Sequence, residues 1–268
     1  MIRKPAVAGY FYPGRAEELR EMLRQMVDQK KRKEKALAVV SPHAGFIYSG
    51  YVAGAVFSSV LLPEHFIIQG PSHRGMRSLF AVMTKGAWQT PLGDVPLDST
   101  LAQAILKRSS LIEEEERAHA QEHSLEVQLP FIQYLRQDFS IVPICISPMA
   151  DYQELEELAR AVAGGIRESG QDVLIVASTD MSHYVSQETA KRKDFLAIEK
   201  VLALDARGLF DVVQKQDISM CGFQPTTAAI LAAKELGAKK AELIRYQTSG
   251  DTSGNYDEVV GYAGLRIT

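Results

Sequence analysis

The chain has 268 residues, of which 46% are hydrophobic and 24% are charged, a composition typical of an ordinary globular protein. Its net charge of −3 gives no electrostatic reason to expect nucleic acid or a membrane surface as a partner. No apolar run reaches the roughly 18 residues that a membrane span needs. We therefore expect neither nucleic-acid binding nor membrane insertion.

Cysteine content and the first residues bear on the compartment. The two cysteines, Cys145 and Cys221, lie far apart in sequence, so a disulfide framework is not indicated. The N-terminal stretch reaches Pro13-Gly14 without the apolar segment of a secretory signal. Since free cysteines persist in reducing compartments, we expect a cytoplasmic protein.

Strand and helix patterns alternate along the chain. The apolar runs at 140–147 and 172–178 are short and rich in β-branched residues, as in strands that are buried on both faces. In chain order, the sequence predicts a helix at 19–27, a strand at 36–40, a helix at about 50–61, a strand at 65–70, a small β excursion at 79–98, a strand at 140–147, a helix at 152–166, a strand at 172–178, helices at 187–204 and 225–237, and a strand at 259–267.

This alternation predicts the fold class. Strands that alternate with helices are typical of an α/β sandwich with a mainly parallel or mixed central sheet flanked by helices. No segment has the composition of an interdomain linker. We therefore expect one domain over residues 1–268.

Three of the six histidines follow predicted strands. His43, His73 and His183 each lie in a short serine-containing loop directly after a strand. Ligand sites of open parallel sheets lie beyond the carboxyl ends of the strands, so these side chains are expected to meet at one edge of the sheet. Imidazole is the commonest metal ligand and also transfers protons near neutral pH. The alternative for each histidine is that it only caps a backbone group of its own loop through a hydrogen bond.

Other polar residues near these loops have more than one interpretation. Asp180, three residues before His183, can bind a metal, orient a histidine or cap the following turn. His119 and His123 are four residues apart, but no glutamate follows His119, so the zinc-protease pattern is absent. His123 is interpreted as a contact to the substrate or to a ligand residue, and His119 and His65 as surface residues.

The two cysteines have different surroundings. Cys221 lies in a glycine-containing turn just before a predicted helix. A helix N-terminus lowers the pKa of a nearby thiol, and the resulting thiolate binds metal or attacks electrophiles. A buried loop cysteine without such a role is the alternative. Cys145 lies in mid-strand and is expected to be a small core residue.

Six motifs, in this order and spacing, resemble the Memo family, whose bacterial and archaeal members are called AmmeMemoRadiSam system protein B. The match runs from Pro5 to the end of the chain, and the motifs are PAVAGYFYP (5–13), PHAGFIYSG (42–50), GPSHRG (70–75), EHSLEVQLPF (122–131), STDMSHY (178–184) and CG (221–222). That family is similar to the class III extradiol ring-cleaving dioxygenases, so the resemblance also implies a dioxygenase-like fold. Those enzymes hold iron(II) with two histidines and a glutamate and use a further histidine as acid/base.

The resemblance implies roles for four residues. His43 and His73 match the two ligand histidines, Cys221 matches the third ligand, and His183 matches the acid/base. A thiolate in place of the carboxylate makes a softer site, which suits copper(I), zinc or tightly held iron. This substitution argues against ring cleavage as the reaction. We therefore expect iron(II) or copper as the cofactor, with zinc less favoured.

Further residues match positions around the site of the Memo family. Asp180 matches an acidic residue of that site, and His123 matches a histidine near the pocket, so both are expected to act with His183 as catalytic residues. Aromatic side chains near the motifs are expected to line the ligand pocket: Phe11, Tyr12, Tyr48 and Tyr184.

Two functions remain open from the sequence. The first is a metal-dependent, dioxygenase-like oxidoreductase that acts on an unknown small molecule, or in a modification pathway with the radical-SAM partner that the family name implies. The alternative is a non-catalytic protein that binds a peptide or another ligand on a vestigial dioxygenase scaffold. A zinc hydrolase ranks last, since no HExxH-type signature is present.

Overall fold

The computed structural model describes residues 1–268. Its strands are β1 (Ile2–Arg3), β2 (Ala38–Ser41), β3 (His65–Pro71), β4 (Phe80–Val82), β5 (Ala87–Thr90), β6 (Gly93–Pro96), β7 (Ile112–Glu114), β8 (Ser140–Ile146), β9 (Val173–Ser178), β10 (His183–Val185), β11 (Ala241–Thr248) and β12 (Val259–Ile267). Its α-helices are α1 (Ala16–Met26), α2 (Phe46–Ser58), α3 (Ser99–Leu106), α4 (Glu116–Ala120), α5 (Leu129–Leu135), α6 (Tyr152–Ser169), α7 (Gln187–Leu202), α8 (Ala206–Lys215), α9 (Phe223–Glu235) and α10 (Gly250–Ser253), with a 3₁₀ turn at Glu126–Gln128.

A nine-stranded mixed sheet forms the centre of the molecule. Its strand order is β10-β12-β2-β9-β3-β8-β4-β7, and β11 also pairs with β12. The four central strands β2, β9, β3 and β8 are parallel, whereas β12 runs antiparallel to β2 and β4 runs antiparallel to β8. The predicted α/β class with a mixed central sheet is therefore confirmed.

Helices cover both faces of this sheet. In β9, Ile175 and Ala177 belong to a cluster of 41 buried residues that includes side chains of α3, α6, α8 and α9. The alternate residues Leu174 and Val176 belong to a second cluster of 31 buried residues, with side chains of α1, α2 and α5. Burial on both faces explains why the central strands read as continuous apolar runs.

The segment 79–98, predicted as one small β excursion, is divided between two sheets. β4 joins the main sheet, while β5 and β6 form a hairpin that pairs with β1 in a separate three-stranded sheet. Trp88 of β5 is fully buried, and the guanidinium carbon of Arg3 lies 4.1 Å from its ring centroid. The two-residue strand β1 was too short to be predicted from the sequence.

The order of the central strands determines where the loops meet. Ser41 at the end of β2 pairs with Ser178 at the end of β9, and Gln69 of β3 pairs with Ala177. The loops that follow these three parallel strands therefore leave the sheet side by side, as expected for a site at the carboxyl edge. None of the helices combines the length and the hydropathy that crossing a bilayer requires.

Candidate metal centre

Three imidazoles meet at the carboxyl edge of the sheet. His43 follows β2, His73 follows β3, and His123 lies between α4 and the 3₁₀ turn. Their ring centroids are 5.2 Å apart for His43 and His73, 5.4 Å for His43 and His123, and 4.6 Å for His73 and His123. One ring nitrogen from each lies within 4.8 Å of the other two, so the cluster can offer three nitrogen ligands to one ion.

A serine at the end of the neighbouring strand sets the tautomer of His43. The Ser178 hydroxyl donates to the Ser124 carbonyl oxygen at 2.5 Å, so it can only accept from Nδ1 of His43, 2.9 Å away. Gln128 donates to the same oxygen at 2.9 Å. Nδ1 of His43 therefore carries the proton, and Nε2 presents its lone pair to the cluster.

A buried carboxylate holds His73 in the same way. Glu122 accepts the His73 backbone N–H at 2.6 Å on Oε2 and the Nδ1–H at 2.9 Å on Oε1. Burial by itself would raise the pKa of Glu122, but hydrogen bonds from His73 and Ser124 outweigh it and lower the pKa to about 2. The pair has the form of the carboxylate–histidine couples that orient metal ligands, with Nε2 of His73 left free.

His123 completes the trio from a different part of the chain. Its Nδ1 lies 3.4 Å from Oε1 of Glu122, and its ring centroid lies 4.8 Å from that of Phe11. Gly70 gives this segment room, because a Cβ there would lie only 2.7 Å from Oγ of Ser124. Burial lowers the pKa of His123 to about 4, so the imidazole is neutral at pH 7 and its lone pair is available.

Cys221 approaches the cluster from the turn before α9. Its Sγ lies 3.2 Å from Nε2 of His43, a separation that one ion bound to both at roughly 2.0–2.3 Å would fit. Gly222 allows the approach, since a Cβ there would lie 2.3 Å from the Ser178 carbonyl oxygen. Burial and the charge of Asp180 raise the pKa of the Cys221 thiol, so the thiolate expected from the helix N-terminus does not form by that means. A bound cation would have to displace the thiol proton.

Asp180 links the loops of His43 and Cys221. Its Oδ1 accepts the His43 backbone N–H at 2.8 Å, and its Oδ2 lies 4.0 Å from Nε2 of His43. Its own backbone N–H donates to Sγ of Cys221 at 3.3 Å. Burial raises the pKa of Asp180 to about 6. Of the three roles considered from the sequence, orientation of a histidine loop is the one with hydrogen bonds to support it.

His183 lies at the start of β10, next to Val260 of β12. Its backbone N–H donates to Oγ of Ser219 at 2.8 Å, and its Nδ1 lies 2.8 Å from the Ser219 carbonyl oxygen. A carbonyl oxygen can only accept, so Nδ1 carries the proton and Nε2 is free to take one. His183 is not one of the three histidines whose ring nitrogens lie within 4.8 Å of one another, so the expected meeting of His43, His73 and His183 is found for the first two only.

The four aromatic residues expected around the pocket differ in exposure. Tyr184 is exposed over 76% of its surface with a left-handed φ of 56°, and Tyr48 is 37% exposed. Phe11 is half-buried against His123. Tyr12 is the exception: it is 3% exposed and its hydroxyl donates to Glu126 at 2.5 Å, so it supports the site from behind and does not line an open pocket.

The two histidines expected at the surface, His119 and His65, differ in burial. His119 is fully buried, with Nδ1 3.3 Å from Sγ of Cys145, which is itself a core residue as predicted. His65 is half-buried at the opposite edge of the sheet, where its Nδ1 lies 2.7 Å from Oδ2 of Asp98. The expectation is wrong for His119, because its partner Cys145 is distant in sequence, whereas His65 keeps part of its side chain exposed.

Glu122 and Ser178 are the site residues that the sequence did not reveal. Each fixes the proton of a histidine from a different chain segment, 49 residues away for Glu122 and 135 for Ser178. The only local signal was their position, Glu122 next to His123 and Ser178 at the last residue of a buried strand.

The donor set fits a transition metal. Two imidazoles expose lone pairs on Nε2 because their Nδ1 protons are held elsewhere, a third lies within reach, and a thiol adjoins His43. Imidazole with thiolate is the ligand chemistry of copper, zinc and iron, whereas magnesium and calcium prefer oxygen. The cluster itself consists of His43, His73 and His123, and Cys221 adjoins it through His43, so the ligand roles of His43, His73 and Cys221 stay a prediction.

Known proteins resemble the chain over almost its whole length. A family model described as "Memo-like protein" matches residues 3–266. MEMO1 family proteins of Pyrobaculum arsenaticum and Methanopyrus kandleri are 45% and 41% identical, with 98% and 99% of this chain covered and 98% of each relative. A solved structure of an uncharacterized protein from Escherichia coli K12 has a TM-score of 0.54 at 12% identity, covering 85% of this chain and 99% of that one, a likeness of fold alone.

Proposed function

The chain belongs to the Memo-like protein family, and we propose that its histidine cluster is a transition-metal site for redox chemistry on a small molecule. The observation that carries the proposal is the matched anchoring of His43 and His73, whose Nδ1 protons are held by Ser178 and Glu122. A histidine that merely caps a backbone group does not need its second nitrogen directed at other imidazoles.

The ligands would be His43, His73 and Cys221, with His123 in the same cluster. Iron(II) or copper bound there would supply one-electron redox chemistry, to which a mixed imidazole–thiolate set is suited. Low pKa values keep His43 and His123 neutral at pH 7, so neither needs to lose a proton before binding an ion. Cys221 does need to, because burial holds it as a thiol.

His183 would act as the acid/base. Its Nε2 lone pair is available because Nδ1 donates to the Ser219 carbonyl oxygen, and the side chain is partly open to solvent. It can take a proton from a bound substrate and pass it to water. Asp180 stabilises the loop between β9 and β10, because its carboxylate accepts the backbone N–H of His43. Tyr48 and Tyr184 supply exposed aromatic surface for a small-molecule substrate.

The test is anaerobic reconstitution of the purified protein with iron(II) or copper(I), followed by metal analysis and oxygen-uptake assays on catechols and small phenols. We expect about one tightly held ion per chain and uptake that depends on His183. A His183→Asn variant should retain the metal and lose turnover. Absence of a bound ion after reconstitution would reject the proposal.

The same reconstituted protein distinguishes this proposal from the alternative, a ligand-binding protein without catalysis. Stoichiometric metal with no uptake, together with retention of ligand binding after Cys221→Ser, would favour that function. A cytoplasmic setting and a radical-SAM partner in a modification pathway belong to the proposal as well. Co-purification of such an enzyme from the native host would support the partner.

A further inference from the structure

A buried ion pair joins the N-terminal segment to the histidine cluster without touching a ligand nitrogen. Nη1 of Arg3 lies 2.6 Å from Oε2 of Glu126, and both side chains are almost completely buried. Removing two charges from water is costly, so a buried pair is weak evidence for stability by itself. The buried polar atoms of both side chains need hydrogen-bond partners, and the structure provides them.

Glu126 collects hydrogen bonds from one short segment, residues 3–12, which we call the N-terminal strap. Oε2 accepts from Nη1 of Arg3 and from the Ala6 backbone N–H at 2.7 Å. Oε1 accepts from the Val7 backbone N–H at 3.1 Å and from the Tyr12 hydroxyl at 2.5 Å. One carboxylate thus fixes both ends and the middle of the strap.

Arg3 uses its remaining donors on the segment that carries His123. Nη2 donates to the Glu122 carbonyl oxygen at 2.6 Å, and Nε donates to the His119 carbonyl oxygen at 2.7 Å. The guanidinium also stacks on the ring of buried Trp88, and this contact helps to fix the orientation of the Arg3 side chain. Arg3 therefore holds the backbone of Glu122, the residue whose carboxylate orients His73.

The other end of the strap contacts two histidine loops. The Phe11 ring centroid lies 4.8 Å from that of His123. The Phe11 carbonyl oxygen accepts the backbone N–H of Phe46 at 2.8 Å, three residues after His43. The strap thereby connects the loop of His123 with the loop of His43, although 80 residues separate the two histidines.

We propose that Arg3 and Glu126 are positioning residues of the metal centre, which hold Glu122 and His123 in place relative to His43 and His73 through the strap. This inference rests on the proposed metal site, and it gives the PAVAGYFYP motif a structural role, because residues 6, 7 and 12 of the strap are hydrogen-bonded to Glu126. Support of this kind is commonly worth 10–100-fold in metal affinity.

The test compares Glu126→Gln with Glu242→Gln, a control that disrupts a second Arg–Glu contact, with Arg266, at the other edge of the sheet. An amide places N–H groups where one carboxylate oxygen now accepts two donors. We expect Co²⁺ affinity, followed by visible absorption, to fall about 10–100-fold in Glu126→Gln and to stay within about twofold in the control. In the metal-free protein, the imidazole ¹⁵N resonances of His73 and His123 should shift in Glu126→Gln only.

Wild-type Co²⁺ affinity together with unchanged His123 resonances in Glu126→Gln would overturn the inference. If that variant does not fold, Tyr12→Phe removes a single donor, and a severalfold loss of affinity with shifted His123 resonances is expected; no change in either would overturn the inference. If the wild-type protein binds no Co²⁺, the proposed function fails, and the ¹⁵N resonances of the metal-free variants alone decide whether the strap positions the histidines.

Discussion

Ser178 accepts the Nδ1 proton of His43 across two neighbouring parallel strands, at a separation of 2.9 Å. We expect Ser178→Ala to lower the free energy of unfolding by about 1–3 kcal/mol, because buried donors on His43 and Gln128 lose their acceptor. Ser41→Ala is the matched control: Ser41 pairs with Ser178 in register, is equally buried, and its hydroxyl has no partner. Urea denaturation of the metal-free proteins measures both, and equal losses would contradict the account.

Glu122→Gln should weaken metal binding more than it weakens folding. The amide cannot accept from both His73 donors and Ser124 as the carboxylate does, so the His73 ring loses its fixed tautomer. We expect an affinity loss of about 10–100-fold for Co²⁺ or Zn²⁺ by competition titration. The exposed Glu18→Gln serves as control and should bind like the wild type. An unchanged affinity in Glu122→Gln would show that the carboxylate does not orient a ligand.

Cys221→Ser should remove the sulfur signature of the centre. In the Co²⁺-loaded wild-type protein we expect a thiolate-to-metal charge-transfer band, which should disappear in this variant and persist in Cys145→Ala. Because the Cys221 pKa is raised, its proton must leave as the metal binds, and apparent affinity should rise with pH more steeply in the wild type than in Cys221→Ser. Equal pH slopes, or a band that survives, would exclude Cys221 as a ligand.

Asp180 should give the metal-free protein an unusual pH dependence. Its pKa is raised from 3.8 to about 6, so between these values the folded state holds a proton that the unfolded state has released. Its contribution is fully present below pH 4 and is lost as pH rises through 6, a change on the order of 3 kcal/mol. We expect the free energy of unfolding of the wild type to fall relative to that of Asp180→Asn as the pH rises from 4 to 7, as measured by urea denaturation. A constant difference would contradict the raised pKa.

The parts of the fold that follow from short-range patterns were predictable. The apolar runs that became β3, β8 and β9 are buried on both faces, and that burial is what makes them continuous in sequence. β1 and the division of residues 79–98 between two sheets were not predictable, because both depend on pairing with Ala87 and Trp88, which lie far along the chain from Ile2 and Arg3.

In the candidate site, too, the features that follow from local sequence patterns were predictable and those that depend on distant residues were not. His43 and His73 could be grouped because each follows a strand, and the strand order places their loops side by side. His123 follows a helix and not a strand, so its place in the cluster was not predictable in this way. The ionisation of Cys221 was predicted wrongly, since burial beside Asp180 outweighs the adjoining helix N-terminus. Glu122 and Ser178 lie in two of the recognised motifs, but they act on histidines of other segments, so their local sequence did not reveal this role.

We expect one transition metal to be held by imidazole and thiolate at the carboxyl edge of the sheet. X-ray absorption at the metal edge of the reconstituted, anaerobic protein tests it most directly, because imidazole and sulfur scatter distinctively. We predict at least two imidazoles and one sulfur around the ion, with the sulfur contribution absent from Cys221→Ser and the imidazole contribution reduced in His73→Ala. A shell of oxygen alone, or one unchanged by both substitutions, would contradict the claim.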